Sequence, residues 1–403
     1  MIDRSIPYEE ALRLRADAIA TTCVHAGDEP DASGALDAPI VLSSAFAFTS
    51  AEQAARAFTG EEDAWIYGRW GNPTVRALEE KLAALEEAEA ACATASGMAA
   101  IAGVILSQCE QGDHVVAPRA MYAESARLLR ERLPKLGVTT TFVDGTIDAY
   151  ATAVTPKTKI LYVETPANPT LAVVDVGAVA ALAKKANAIV VVDGTFATPF
   201  AQTPLALGAD LVVHSMTKGI GGHGDVIGGA IAGPRALVDR ARETVVKGFG
   251  GVLSPLSAWL VARGLRTFAL RQERACATAA RLAAWLAKDP RIARVHHPSL
   301  PSHPGHELAQ KQMHAYGAVL SFEIAGDDPL ERGRRTLGAL RVATHAVSLG
   351  DVRTLVVHPA STTHSTMPAE ARALAGIADG LLRISVGLEA ASDLIADLDR
   401  ALA

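Results

Sequence analysis

Two stretches of this 403-residue chain place reactive side chains where apolar runs end. The run IVVV stops at Asp193, and LVVH leads into Ser215, Met216, Thr217 and Lys218. Nearly continuous apolar runs of this kind read as strands of a parallel sheet covered on both faces, and open α/β sheets bind ligands outside the carboxyl ends of their strands. A carboxylate, two hydroxyls and an amine therefore fall at one sheet edge. A lysine shielded from water loses part of its preference for the charged form, and a neutral amine can condense with an aldehyde. Ser96-Gly97-Met98 opens a further apolar helix, whose first N–H groups form a positive end that an anion can approach closely over glycine.

Pyridoxal phosphate is an aldehyde that uses all of these pieces. It needs a carboxylate beside its pyridinium nitrogen, which Asp193 can supply, and a cradle for its phosphate, which Ser215, Thr217 and the Ser96-Gly97-Met98 turn can supply. Each piece alone has a plainer reading: a strand-end Asp as a turn residue, SGM as a helix start, a Lys before glycines as a loop. Their order and strand context together favour the cofactor. A competing motif, Gly219-Ile220-Gly221-Gly222-His223-Gly224, matches the dinucleotide fingerprint GxGxxG, with Asp239 twenty residues after its first glycine. However, SMTK separates these glycines from the strand, and Asp239 falls in a helical stretch rather than at a second strand end.

The elements needed to position these residues can be read along the chain. DHVVAP, TKILYVETP, AIVVVDGT and ADLVVHSMTK read as strands alternating with helices between about 61 and 255. Asn72 and Pro73 should cap and open a helix with the stripe Val75, Leu78, Leu82 and Leu85; a second helix should start near Ser96 and run through Met98, Ile101, Val104 and Ile105. Residues 1–60 read as an N-terminal arm with a short helical start and a strand-like run, IVLSSAFAF. From about 256 to 403 a long helical stretch, the strands GAVLSFEI and LLRISVGLE, and a closing helix through Leu394, Ile395, Leu398 and Leu402 suggest a smaller α+β domain. The expected fold class is α/β, a mostly parallel central sheet flanked by helices, followed by that domain.

Composition narrows the function classes. Apolar residues are 49% and charged residues 20% of the chain, as in ordinary globular proteins, and the net charge of −6 comes without a basic block, which argues against nucleic-acid binding. Four dispersed cysteines suit a reducing cytoplasm, and neither a signal peptide nor a membrane-length apolar run is evident. The twelve histidines lack zinc-site spacing, so no metal is expected.

Taken together, YGRWGNPT (67–74), ATASGMAA (93–100), ETPANP (164–169), DGTFATP (193–199), HSMTKGIGGHGD (214–225), SLGD (348–351), HPASTTHS (358–365) and LLRISVGLE (381–389) span nearly the whole chain. They resemble the pyridoxal-phosphate enzymes of Cys/Met metabolism, the trans-sulfuration family of fold type I. The resemblance implies that Lys218 carries the cofactor covalently, Asp193 faces the ring nitrogen and Tyr122 stacks on the ring. It implies that Gly97, Met98, Ser215 and Thr217 hold the phosphate, that Tyr67 and Arg69 reach the phosphate of a neighbouring subunit in a homotetramer, and that Asn168, Ser348 and Arg383 hold the substrate carboxylate. Arg383 has an independent rationale, since alternation turns it away from the core-facing Leu382, Ile384 and Val386. The implied catalytic residues are Lys218, Tyr122 and Asp193, acting on a small amino-acid substrate. Departures from the family pattern are Gly194 where Asn is usual, Gly219 where an aromatic is common, and Glu124 where methionine γ-lyases carry cysteine. The two glycines alter the pocket walls, and Glu124 weighs against a methionine γ-lyase. TLVVHPASTTHS resembles the O-acylhomoserine sulfhydrylases, whereas SLGD and RISVGLE resemble the γ-lyases equally, and the reading leans to γ-replacement on an O-acylhomoserine by a sulfur nucleophile. The alternative is γ-elimination of cystathionine or methionine to 2-oxobutanoate and ammonia.

Overall fold

The computed structural model describes residues 5–28, 30, 33–363, 365, 370, 372 and 376–403. Met1–Arg4 and His364 of the HPASTTHS stretch lie outside them. Seven strands, β1 (Ala90–Thr94), β2 (His114–Pro118), β3 (Thr139–Val143), β4 (Thr158–Glu164), β5 (Ile189–Asp193), β6 (Leu211–Ser215) and β7 (Gly229–Gly233), form one sheet in the order β1-β7-β6-β5-β4-β2-β3. The neighbours from β3 to β6 pair in parallel, and only β7 runs against both of its neighbours.

Burial explains why these strands read as continuous apolar runs. On β4, Ile160 and Tyr162 enter one core while Leu161 and Val163 enter the core on the other face; on β5, Val191 faces the first and Val190 and Val192 the second. Fully burying one such side chain is worth about 1.5–3 kcal/mol, so both faces select against polar residues until the strand leaves the sheet. Asp193 and Ser215 stand at that exit.

The helices follow the sequence signals closely. Asn72 caps the helix Pro73–Leu85 by accepting from the Thr74 and Val75 N–H groups, and Leu78, Leu82 and Leu85 are buried. Ser96 caps Gly97–Gln108 through the Ala99 N–H. A second sheet, β8 (Ile292–His296), β9 (Val319–Ile324), β10 (Thr344–His345), β11 (Leu355–Val357) and β12 (Leu381–Ser385), has the order β10-β11-β12-β9-β8 and its own core, into which the closing helix Ala391–Ala401 packs Leu394 and Leu398.

Three expectations are corrected. IVLSSAFAF forms no strand: apart from a bridge between Ala45 and Tyr67 it is irregular, held at Val41 by the Thr74 hydroxyl and the Asn72 amide, with Leu42 exposed because no sheet face covers it. The helical start is a full helix, Tyr8–His25, which buries Leu12, Ala16, Ile19 and Cys23 in the main core and packs on Phe268–Leu286. The long helical stretch after residue 255 is two helices, Pro255–Leu265 and Phe268–Leu286, because the Gly264 carbonyl is taken by the Arg271 guanidinium at 2.9 Å and by the Thr267 hydroxyl at 3.3 Å.

Candidate active site

The carboxyl ends of β2, β4, β5 and β6 open into a cavity of about 510 Å³. Gly97, Met98, Ser215, Thr217 and Lys218 line it together with Tyr122 and Asp193, and so do Asn168, Ser348 and Arg383. Tyr67 and Arg69 do not: Tyr67 is largely exposed beside Trp70, and Arg69 lies over the Tyr67 ring and donates to the Lys247 carbonyl.

One end of the cavity is built for an anion. In the first turn of Gly97–Gln108, the Ser96 hydroxyl and carbonyl take the Ala99 and Ala100 N–H groups, which leaves those of Gly97 and Met98 for a ligand. A Cβ on Gly97 would stand 2.8 Å from that of Ser215, so only glycine lets the helix start meet the strand end. The Thr217 hydroxyl accepts from the Gly228 N–H at 3.1 Å, which fixes its side chain on the same wall.

Further in, the Lys218 amine donates to the Ser348 hydroxyl at 2.7 Å. Burial, and then the Arg383 charge, push this amine down to about 8. Asp193 accepts from the Thr195 N–H at 3.0 Å and the Tyr162 hydroxyl at 3.3 Å, and burial pushes its carboxyl above the usual range. A buried carboxylate with no Lys or Arg bonded to it among the described residues is suited to a cationic ring N–H. With an anion cradle at one end, a neutralisable amine at the side and this carboxylate at the other, the residues fit pyridoxal phosphate. Tyr122 supplies an aromatic face, and burial followed by the Glu124, Glu164 and Asp193 charges raises its phenol, so it remains protonated.

Arg383 is buried on β12, with its fork spread between the Asn168 side-chain oxygen and the Ser348 carbonyl, both at 2.8 Å. Burial pushes it down to about 10, and its Nε has no partner among the described residues. Two of its five N–H donors are used, which leaves a buried cation able to receive a carboxylate.

Glu164 was missed by the sequence reading. It closes β4 as Asp193 closes β5, the two paired in register, and that shared position at the end of an apolar run was the available signal. Its oxygens accept the Tyr122 N–H at 2.7 Å and the Asn168 N–H at 2.9 Å.

The two glycine departures stand in close packing. A Cβ on Gly194 would meet His214 Cε1 at 2.7 Å, and His214 is itself bonded to the buried Glu86 at 2.5 Å. A Cβ on Gly219 would lie 3.0 Å from the Gln272 side-chain amide and 3.1 Å from the Thr198 methyl, so a larger residue there would have to displace them. Glu124 does not line the cavity; its side chain is half exposed and 3.9 Å from Arg127. The glycines of the GxGxxG-like run are accounted for by packing. Arg271 holds the Gly219 and Ile220 carbonyls, and a Cβ on Gly222, at φ +77°, would lie 1.7 Å from its guanidinium. Gly222→Ala is therefore expected to destabilise the fold by about 2–4 kcal/mol, read by denaturant unfolding, rather than to alter nucleotide binding.

The comparisons agree with this geometry. A family model described as Cys/Met metabolism PLP-dependent enzyme matches residues 20–403. The chain is 48% identical over 387 residues to an L-methionine gamma-lyase of Fusobacterium nucleatum subsp. polymorphum, covering 95% of this chain and 98% of that one. It is 40% identical over 393 residues to an O-succinylhomoserine sulfhydrylase of Pseudomonas aeruginosa, covering 97% and 96%. The crystal structure of metB from Corynebacterium glutamicum superposes with a TM-score of 0.89 at 38% identity, covering 95% of this chain and 97% of that one.

Proposed function

Since the chain belongs to the Cys/Met metabolism family of enzymes that depend on pyridoxal phosphate, we propose that it catalyses γ-elimination on a sulfur amino acid such as methionine or cystathionine. The observation carrying this reading is the position of Lys218, whose amine shares one cavity with the Arg383 guanidinium and the Tyr122 phenol. The weight thus moves from γ-replacement to elimination: the relatives named L-methionine gamma-lyase reach 48% identity and those named O-succinylhomoserine sulfhydrylase 43%. Glu124, which weighed against a γ-lyase, stands outside the cavity lining, whereas the apolar Ile227 and Val347 form part of that lining at its exposed rim. That rim suits a thioether better than a charged acyl group.

When bound, pyridoxal phosphate supplies an electron sink for the pair released as the substrate Cα–H bond breaks. Asp193 would keep the ring nitrogen protonated, and Gly97, Met98, Ser215 and Thr217 would hold the phosphate. Lys218 would hold the cofactor covalently until substrate arrives and then take the Cα proton. With its amine near 8, roughly a tenth of it is neutral at pH 7, far more than for an ordinary lysine near 10.4. Lys218 can then carry a proton to and from Cβ while Tyr122 donates its phenolic proton to the departing sulfur. The Cγ–S bond breaks, and water completes the balance: methionine and water give methanethiol, 2-oxobutanoate and ammonia. Arg383, Asn168 and Ser348 would orient the carboxylate throughout.

We also propose that Tyr67 and Arg69 serve a neighbouring subunit's phosphate in a cytoplasmic homotetramer. On this reading, 1–60 is an arm, 61–255 the cofactor-binding domain and 256–403 the small domain. Among the described residues no helix is long and apolar enough to cross a membrane. The test of the reaction is a panel of methionine and cystathionine alone against O-acetyl- and O-succinylhomoserine with sulfide. Faster 2-oxobutanoate release from the first pair is expected. Homocysteine formation at higher efficiency from the second pair would favour γ-replacement, the reading that the sulfhydrylase relatives support.

A further inference from the structure

We infer that Glu164 is a positioning residue, a clamp whose single carboxylate fixes the Tyr122 wall of the cavity relative to the Asn168 wall. The inference rests on the reaction proposed above for the roles of those walls. Tyr122 follows β2 and begins the short helix Ala123–Arg127, while Asn168 lies in the loop after β4. No hydrogen bond joins these two residues directly in the structure. Glu164 bridges them instead, with one oxygen on each backbone N–H, at 2.7 Å and 2.9 Å. Burial, and then the Asp193 charge, push the Glu164 carboxyl up to about 8, so the clamp rests on geometry rather than on charge: each bond removes freedom from a loop residue whose side chain must be placed accurately.

The two ends of the clamp have different tasks. The Asn168 side-chain oxygen accepts from Arg383 at 2.8 Å, so displacing the Asn168 backbone disturbs the group that orients the carboxylate anchor. Displacing the Tyr122 backbone tilts the aromatic face and moves the phenol. Glu164 itself is 4% exposed and has no Lys or Arg partner within the described residues. It is thus a buried carboxyl group that forms no ion pair there, and the two N–H groups are its bonded partners.

Reach and the identity of the acceptor group can be separated experimentally. Glu164→Gln keeps the length but turns an amide N–H toward one of the two donors. Glu164→Asp keeps the carboxyl group but is one methylene too short to bridge both. With rates normalised to bound cofactor, a clamp predicts that both variants lose about 10- to 100-fold in kcat/KM for methionine. KM should rise, kcat should fall, and the visible circular dichroism of the bound cofactor should weaken. In an Asn168→Ala background, Glu164→Gln should raise KM little further, because its effect on KM runs through that residue. An Asp variant within threefold of the parent would overturn the inference in favour of a role for the carboxyl group that does not depend on its reach. Full additivity with Asn168→Ala would overturn it as well.

If the variants fail to fold, the parent holoenzyme still provides a test: hydrogen exchange resolved to single amides. The Tyr122 and Asn168 amides should exchange as slowly as those of β4 and β5, and exchange of either at loop rates would sink the clamp. Exchange does not depend on which substrate is turned over, so failure of the methionine assay with the parent protein would count against the reaction and not against Glu164.

Discussion

Lys218→Ala is expected to leave a folded protein that turns over methionine or cystathionine at least a thousandfold more slowly. The amine is placed both to hold the cofactor and to move protons at Cα and Cβ, and positioned proton transfer alone contributes about 10²–10⁴. Among the described residues the amine's one hydrogen bond is to the Ser348 hydroxyl, so its removal breaks no buried ion pair there. Borohydride reduction of the holoenzyme followed by peptide mass analysis should find the cofactor mass on the segment containing position 218, and Lys218→Ala should lose the visible band. An adduct on another lysine, or none, would remove the basis of the mechanism. The same amine sets a pH dependence. Burial, with a further contribution from Arg383, lowers it to about 8, and only the neutral form attacks an aldehyde. Capture of pyridoxal phosphate by cofactor-free protein should accelerate as pH rises, with a midpoint near 8. A midpoint near 10 would show that the side chain is solvated like a surface lysine.

The second large effect is expected at Arg383. Replacing it by Ala should lower kcat/KM for methionine by about 10²–10³, mainly through KM, since a carboxylate loses a planar two-pronged partner and the Asn168 and Ser348 oxygens lose their donors. Arg383→Lys should recover little of this, because a point charge cannot span both oxygens and the ligand. The discriminating measurement is the preference for methionine over its amide, which lacks the negative charge. The parent enzyme should prefer the acid strongly, and the Ala variant should have lost that preference. If the variant still prefers the acid, the carboxylate is anchored elsewhere in the cavity.

Local signals in the chain were enough to place much of the site. Runs such as IVVV and LVVH identify buried strands because a strand covered on both faces tolerates no polar residue until it ends, and residues at those ends, Asp193 with Ser215, Thr217 and Lys218, are ones the sheet presents to the cavity. The caps at Asn72 and Ser96 are equally local, each a side chain reaching N–H groups two or three residues on. Alternation along LLRISVGLE likewise turned Arg383 away from the core. Tertiary structure decided everything that depends on residues far apart in the chain. Ser348 meets Lys218 from 130 positions away, and Asn168 meets Arg383 from 215. The glycine run after Lys218 is read correctly only when Arg271 and Asp351 are seen packed against it, since the same spacing would serve a nucleotide or a guanidinium. Glu164 acquires its two backbone partners, and IVLSSAFAF fails to become a strand, for the same reason: a hydrogen-bonding group or an apolar face is assigned by the neighbour that folding brings to it. Periodicity and capping act over a few residues, whereas those neighbours are chosen by the packing of whole sheets and helices.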